Sequence, residues 1–136
     1  MILVTDTNRI IAALIKDSLS RKIIYSDKFI LLAPSFAKTE VENNKREILE
    51  KTNLPETTFD SLFALILNNI YIVDDSILRY KFDDAKKIMD KVDPSDTAFV
   101  ALALAIKNDG IWSDDIDFQR QKAIKVWRTE NLIRYL

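Results

Sequence analysis

Residues 93–118 read DPSDTAFVALALAIKNDGIWSDDIDF, and this stretch decides the fold. Asp93-Pro94 fits a helix start, with the aspartate as the N-cap and the proline at the first helical position. The residues that follow are apolar nearly all round, which is typical of a helix buried in a core. The helix is predicted to run to Asn108, with Gly110 in the turn beyond it and a buried strand over residues 111–113.

Outward from this stretch, short apolar runs alternate with helical patterns along the whole chain. Strands are predicted at residues 2–5, 29–32, 70–73, 111–113 and 124–127. Further helices are predicted at residues 8–19, 34–50, 55–67, 76–92 (with a break near 80–83) and 130–136. This alternation indicates an α/β fold, in which a parallel sheet is covered by helices on both faces. A length of 136 residues predicts a single domain over residues 1–136.

The composition excludes several classes of catalytic site. The chain has no cysteine and no histidine, so zinc-thiolate sites, Ser-His-Asp triads and histidine general bases are ruled out. Its one glycine, Gly110, excludes the glycine-rich loops that bind nucleotide phosphates. Carboxylates are the strong anionic ligands that remain, and they suit hard cations such as Mg²⁺ or Mn²⁺.

Charge and hydropathy say less about partners. The formal net charge of -1 does not by itself indicate nucleic-acid binding, although a local basic patch is compatible with it. The N-terminus lacks the pattern of a signal peptide, and no apolar run approaches the length of about 20 residues that a membrane helix needs. We therefore expect a cytoplasmic protein without a membrane partner.

Acidic residues stand where the predicted buried segments begin or end. Asp6 follows the first strand, and Asp96 opens the apolar helix. A cluster at residues 114–117 follows the fourth predicted strand, and Glu40 lies six residues after Pro34. The carboxyl ends of parallel strands meet at one sheet edge, where α/β proteins bind ligands. Because packed carboxylates repel one another, their coincidence predicts a site for a divalent cation.

Each of these residues also has a purely structural interpretation. Asp6 suits an N-cap, Asp96 suits the first turn of a helix, and the cluster at 114–117 suits an acidic surface turn. Glu40 lies on a charged helix that reads as mostly solvated, and Asn8 suits a helix entry. The functional interpretation depends on all four acidic stations occurring together.

Three segments resemble the PIN domain family. They are Val4-Thr5-Asp6-Thr7-Asn8, then Asp93-Pro94-Ser95-Asp96 running into the apolar helix, and then Ile111-Trp112-Ser113-Asp114-Asp115-Ile116-Asp117-Phe118. The resemblance covers the whole chain in order, and its last two segments together are fairly specific. It implies a PIN-like three-layer α/β/α sandwich around a central parallel sheet of four to five strands.

The resemblance also implies roles for individual residues. The residues that match its catalytic acids are Asp6, Glu40, Asp96 and Asp115. Those that match metal ligands are Asp6, Asp96, Asp115 and Asp117, with Mg²⁺ or Mn²⁺ as the cofactor. Asn8 and Ser113 match supporting positions, and the spacing of the motif favours Asp115 over the adjacent Asp114.

By the same resemblance, the protein is expected to be a metal-dependent endoribonuclease, of the kind found as toxins of toxin–antitoxin pairs. Such proteins usually dimerise and bind an antitoxin protein. RNA would be held by basic residues near the acidic segments, since phosphate contacts dominate affinity. The candidates, which equally suit solubilising surface charge, are Lys38, Lys45, Arg46, Arg120 and Lys122.

Three other interpretations compete with a nuclease. A catalytically weak PIN-fold module that binds RNA or protein as a scaffold would keep the fold, although the complete acidic set argues against it. A phosphate-receiver domain would need an acid pair after the first strand and a lysine after the last, and both are missing. A haloacid-dehalogenase-type phosphatase would need an aspartate at position 8, which is Asn8.

Overall fold

The protein is described by a computed structural model that covers residues 1–16, 18–90 and 92–136. Within these residues, the centre of the molecule is a five-stranded sheet in which all paired neighbours run parallel, in the order β3-β2-β1-β4-β5. The strands are β1 (Ile2–Thr5), β2 (Ile30–Pro34), β3 (Ile70–Val73), β4 (Ile111–Trp112) and β5 (Val126–Trp127). The predicted α/β fold with a parallel sheet of four to five strands is confirmed.

Helices connect successive strands. Those between β1 and β3 are α1 (Thr7–Ile15), α2 (Leu19–Tyr25), α3 (Ser35–Asn43), α4 (Lys45–Thr52) and α5 (Glu56–Leu67). Those after β3 are α6 (Asp75–Leu78), α7 (Phe82–Met89), α8 (Thr97–Ala105), α9 (Ile116–Arg120) and α10 (Thr129–Leu132). Three 3-10 turns lie at Arg79–Lys81, Pro94–Asp96 and Ile133–Tyr135.

The helices form a layer on each face of the sheet. Helix α1 contacts α2, α4 and α5, whereas α8 contacts α6 and α7 and packs on β1, β2 and β4. The run Thr97–Leu102 at the start of α8 is buried at every position, as its all-round apolar sequence predicts. The arrangement is therefore a three-layer α/β/α sandwich, and the first turn of α8 belongs to its core.

The sheet topology brings the first and fourth strands together. β1 pairs with β2 on one side and with β4 on the other. The chain moves outward from β1 to β3 in one direction and then crosses to β4, so the strand order reverses between β1 and β4. In open parallel sheets, ligand crevices lie at the carboxyl end of such a reversal. Here that edge carries Asp6, directly after β1, and Ser113, directly after β4.

The first predicted helix, residues 8–19, is wrong in extent. α1 ends at Ile15, and a separate helix, α2, begins at Leu19. The hydroxyl of Ser18 accepts from Arg21 N at 3.4 Å, and the Arg21 guanidinium donates to Ala13 O at 2.6 Å. These bonds start α2 and cap the end of α1, whereas apolar spacing alone reads through both. Position 17 of the predicted helix lies outside the described residues.

Other boundaries differ because asparagine side chains compete with helical hydrogen bonds. The predicted helix at 34–50 divides at Asn44, whose amide donates to Glu40 O at 2.7 Å. The helix that was predicted to end at Asn108 ends at Ala105. The side-chain amide of Asn108 donates hydrogen bonds to the carbonyls of Ala103 and Ile106. Helix α9 was not predicted. The break near 80–83 is confirmed, and position 91 of that helix lies outside the described residues.

Over the described ranges 1–16, 18–90 and 92–136, no helix has the length and apolar character needed to cross a membrane.

Candidate metal-dependent active site

Asp6 is the most tightly fixed acid at the sheet edge. It caps α1 and is 4% exposed, and its main-chain N–H donates to Trp112 O at 3.1 Å, which locks it to β4. Its Oδ2 accepts from Ser113 Oγ at 2.7 Å, and its Oδ1 accepts from the Asn8 N–H at 3.5 Å. Burial raises the pKa of Asp6 to about 6, although the bond from Ser113 acts in the opposite direction.

Asp96 lies opposite, at the point where the 3-10 turn Pro94–Asp96 passes into α8. The residue is 9% exposed, and its Oδ2 is buried with no hydrogen-bond partner among the described residues. Burial, followed by the charges of neighbouring carboxylates, raises the pKa of Asp96 to about 8. Those neighbours are Asp6, Asp93, Asp115 and Glu40. A buried carboxylate oxygen without a hydrogen-bond partner and near like charges is costly to keep ionised.

Asp115 is placed by the hydroxyl that also holds Asp6. The N–H of Asp115 donates to Ser113 Oγ at 3.0 Å, while that hydroxyl donates to Asp6. The Asp115 carboxylate caps α9 by accepting from the Asp117 N–H at 2.9 Å. Ser113 is fully buried, so one side chain sets the positions of two predicted catalytic acids.

Glu40 is held from α1. Its Oε1 accepts from Thr7 Oγ1 at 2.7 Å, although the two residues are 33 positions apart. Glu40 is half-buried on α3 and is among the charges that raise the pKa of Asp96. The charged helix that carries Glu40 therefore does not leave this side chain in solvent, as its local sequence alone would suggest.

Asp114 bonds to Arg9 and Thr129 rather than to these acids, and it stabilises the fold. Its Oδ2 pairs with Arg9 at 2.6 Å and accepts from Thr129 Oγ1 at 2.7 Å, and its Oδ1 accepts from the Thr129 N–H at 2.7 Å. The Trp112 indole donates to the same Thr129 hydroxyl at 3.0 Å. This network ties α1 and α10 to the end of β4, and it favours Asp115 over Asp114 as the fourth acid of the site.

The comparison with protein families agrees with this geometry. A family model described as PIN domain matches residues 4–136. The chain belongs to the PIN domain family. PIN domains are generally nucleases that need divalent metal ions. No curated protein gives a significant match to the chain.

The acidic residues of this PIN domain fit a divalent cation in their chemistry. Asp6, Asp115 and Glu40 lie close enough to Asp96 to raise its pKa. The buried Oδ2 of Asp96 has no hydrogen-bond partner among the described residues. Over the described part of the chain, however, no three carboxylates form a compact metal cage on their own. Mg²⁺ keeps several waters and needs only one or two direct carboxylates, so the looser cluster still suits it.

Two predicted residues stand apart from this cluster. Asp117 lies in the first turn of α9, and its carboxylate pairs with Arg120 at 3.3 Å. Asn8 is exposed, and its main-chain N–H rather than its amide contacts Asp6. The metal role of Asp117 and the supporting role of the Asn8 side chain stay predictions.

The predicted RNA-binding residues differ in how far their charges are engaged. Lys45 bonds Asp60 at 2.8 Å and Glu56 at 2.9 Å, and these bonds raise its pKa while tying α4 to α5. The remaining four are exposed: Lys38, Arg46, Arg120 and Lys122. Lys38 lies 4.0 Å from Glu42, which is a weak pairing. Contact with RNA stays a prediction for all five, and Lys45 is the least available.

Two residues that support the site were not predicted, namely Thr7 and Arg9. Thr7 holds Glu40, and Arg9 both balances Asp114 and lowers the pKa of Asp6 through its charge. Both lie in the first turn of α1, directly after the capping Asp6. Because that turn begins at the carboxyl end of β1, where open parallel sheets have their ligand crevices, the position of Asp6 could have identified them.

Proposed function

We propose that this PIN domain is a metal-dependent endoribonuclease that hydrolyses RNA phosphodiester bonds at the cluster of Asp6, Glu40, Asp96 and Asp115. The observation that carries the proposal is the buried Oδ2 of Asp96, which has no hydrogen-bond partner among the described residues and lies near the carboxylates of Asp6, Glu40 and Asp115. A protein without histidine or cysteine has few other ways to activate water at neutral pH.

The ligands in this proposal are Asp6, Asp96 and Asp115, with Asp117 as a further ligand and Mg²⁺ or Mn²⁺ as the ion. When bound, such an ion lowers the pKa of a coordinated water and stabilises charge that develops on a phosphate. The protein contributes positioning. Ser113 keeps Asp6 and Asp115 in register, so the ligands need little reorganisation when the substrate binds.

Glu40 takes the role of proton acceptor in this proposal. The bond from Thr7 fixes Oε1, and the half-buried position leaves the carboxylate within reach of solvent. Attack of water on the phosphorus forms a new P–O bond and breaks the bond to one ester oxygen. Glu40 receives the proton that the attacking water loses, and the departing ester oxygen takes a proton from solvent. A carboxylate at the edge of the site can pass that proton to bulk water, whereas buried Asp6 cannot.

The test is cleavage of a fluorescent single-stranded RNA with Mg²⁺ or Mn²⁺, with DNA of the same sequence as the comparison substrate. Asp6→Asn and Asp96→Asn should each abolish cleavage, as should a chelator. Asp27→Asn is the matched control, because Asp27 is an exposed acid in the turn before β2. Cleavage that persists in both site variants would refute the assignment, and equal cleavage of DNA would refute the preference for RNA.

A scaffold module that binds RNA or protein without significant catalysis is the second candidate. The observation in its favour is the lack of a compact three-carboxylate cage over the described residues. Calorimetry with Mn²⁺ separates the two functions. Binding that is lost in Asp96→Asn supports the nuclease, and no binding at millimolar Mn²⁺ supports the scaffold.

Within the nuclease proposal, we assign the protein to the toxins of toxin–antitoxin pairs, acting as a homodimer and held inactive by an antitoxin protein. This assignment rests on the family resemblance. We expect a short neighbouring reading frame that encodes a DNA-binding protein. Expression of the PIN domain should arrest growth, and co-expression of that neighbouring protein should relieve the arrest. Light scattering of the purified protein tests the dimer, and a monomer at micromolar concentration would refute it.

A further inference from the structure

A cleft of about 300 Å³ lies beside the acidic site, and it is lined mainly by apolar groups. Phe36 from α3, Phe82 at the start of α7 and Pro94 from the 3-10 turn form its apolar walls, and Asp75 lies at its rim. Its volume is at the small end of the range for ligand-binding pockets, about 300–1,000 Å³. None of these residues belongs to the acidic cluster.

The cleft is joined to the acids through two elements. Phe36 and Glu40 are four residues apart on α3, so they lie on the same face of the helix. On the other side, the cleft is lined by the residues that directly precede and follow Asp96, including Ser95 and Thr97. The cleft therefore lies one helix turn from Glu40 and beside the residues that flank Asp96.

The aromatic wall is held in place from behind. The Phe36 ring packs edge-on against Phe99 with 6.3 Å between ring centroids, and Phe99 packs in turn against Phe118 at the same distance. Phe99 and Phe118 are buried, whereas Phe36 and Phe82 are only half-buried. Phe36 therefore packs against the core through Phe99, and its remaining ring surface lines the cleft.

The rim of the cleft carries an oriented acceptor. The hydroxyl of Ser35 donates to Asp75 Oδ1 at 3.0 Å. This bond orients the Asp75 carboxylate beside the apolar walls of the cleft. A negative acceptor beside aromatic walls complements a planar group that presents N–H donors at its edge. Nucleobases with an exocyclic amine have this character, and carboxylates accept hydrogen bonds from such amines.

We propose that this cleft holds one unpaired nucleobase of the substrate, next to the scissile phosphodiester, by stacking on Phe36 and Phe82. The proposal rests on the proposed nuclease function for the identity of the polymer. It adds that the protein engages a single strand through a base as well as through phosphates, and that Asp75 favours an amino-bearing base over uracil. Base–aromatic stacking tolerates any base, so the carboxylate supplies the preference.

The experiment is an abasic scan of a short single-stranded RNA. Each RNA strand lacks one base. Its binding to the protein is measured by fluorescence anisotropy in Ca²⁺, and gel analysis confirms that the RNA stays intact. We expect one position where loss of the base weakens binding about tenfold, the usual effect of one lost stack. At that position, 2-aminopurine should be quenched on binding, and uracil should bind more weakly than cytosine.

Variants connect this effect to the cleft. Phe36→Leu and Phe82→Leu keep apolar volume but remove the ring, and each should reduce the penalty for the missing base to less than about threefold. Asp75→Asn should reduce the difference between cytosine and uracil while keeping the stacking effect. Tyr71→Leu is the matched control, since it removes a 67% exposed ring from edge strand β3 and should leave the scan unchanged. Thermal melting of each variant verifies that it is folded.

The outcomes separate this inference from the nuclease proposal. If RNA is cleaved but every abasic strand binds like the intact one, the cleft assignment is overturned and the nuclease stands. If one base matters but Mg²⁺ and Mn²⁺ support no cleavage, the nuclease proposal is overturned and the cleft is a binding site. A penalty that persists in both phenylalanine variants places the base elsewhere and overturns the assignment.

Discussion

Asp96→Asn should make the metal-free protein more stable at pH 8, although it removes a residue from the acidic site. Burial and neighbouring carboxylates raise the pKa of Asp96 to about 8, whereas an unfolded aspartate has a pKa of about 3.9. Between these two values, the folded protein keeps a proton that the unfolded chain has lost. The stability contributed by the protonated form is complete below about pH 4 and is lost as the pH rises through about 8.

The magnitude follows from that proton. One extra bound proton in the folded state gives a slope of about 1.4 kcal/mol per pH unit. Integrated from pH 6 to 8 for a folded pKa of about 8, the free energy of unfolding falls by roughly 2 kcal/mol. With a urea m-value of about 2 kcal/mol/M, the unfolding midpoint falls by about 1 M. Asp6, whose pKa is raised to about 6, contributes mainly below this window.

The assay is urea unfolding followed by the fluorescence of the two tryptophans, at pH 6 and pH 8 with a chelator present. The chain has no histidine, so no imidazole titrates in this window. The wild-type midpoint should fall, Asp96→Asn should remove most of the fall, and the exposed-site control Asp27→Asn should behave like the wild type. A wild-type midpoint that is flat or rises, or an unchanged slope in Asp96→Asn, would refute the reasoning.

Four further predictions concern metal binding, the residues that position the acids, and the fold. Mn²⁺ should raise the melting temperature of the wild type more at pH 8 than at pH 6, because the ion competes with protons; calorimetric scanning should show no such rise in Asp6→Asn. Ser113→Ala should cost about 1–3 kcal/mol in urea unfolding and should slow RNA cleavage, since it frees two acids at once. Asp114→Ala should cost about 2 kcal/mol by leaving Arg9 without its partner, while Mn²⁺ affinity measured by calorimetry stays the same; a loss of affinity would return Asp114 to the metal site. Gly110→Ala should destabilise the fold by about 2 kcal/mol or more in urea unfolding, because φ is +135° and a Cβ would lie 2.5 Å from Lys125 O.

The architecture could be predicted because it depends on patterns that are local in sequence. Each strand is a short apolar run, and the first and third predicted strands coincide with β1 (Ile2–Thr5) and β3 (Ile70–Val73). The all-round apolar segment of α8 identifies a buried helix without reference to its neighbours. Because parallel strands need crossovers, alternation of the two patterns already implies a covered sheet.

Helix ends were less predictable because they depend on particular side-chain hydrogen bonds. Apolar periodicity continues from α1 into α2, and the division arises from the Arg21 guanidinium on Ala13 O and the cap at Ser18. Asn44 and Asn108 lie at helix ends in a similar way, and their side-chain amides donate to carbonyls of the preceding turn. Such residues are also common within continuous helices, so their presence in the sequence does not decide where a helix stops.

Asp114 and Asp115 show why the candidate site could be located from sequence but not fully resolved. Both follow β4 and both are acidic, and in the sequence only the spacing of the family motif favours Asp115. The difference comes from Arg9, 105 residues away, and Thr129, 15 residues away, which together bind the Asp114 carboxylate. Ser113 meanwhile holds the N–H of Asp115, so this second carboxylate lies where it adds to the charge acting on Asp96. The Asp114 carboxylate, which Arg9 and Thr129 bind together, has little to gain from a cation, whereas Asp115, which repels Asp96, has much. The availability of a counter-charge in the folded chain, rather than the order of residues, therefore decides which of the two takes part in the proposed metal site.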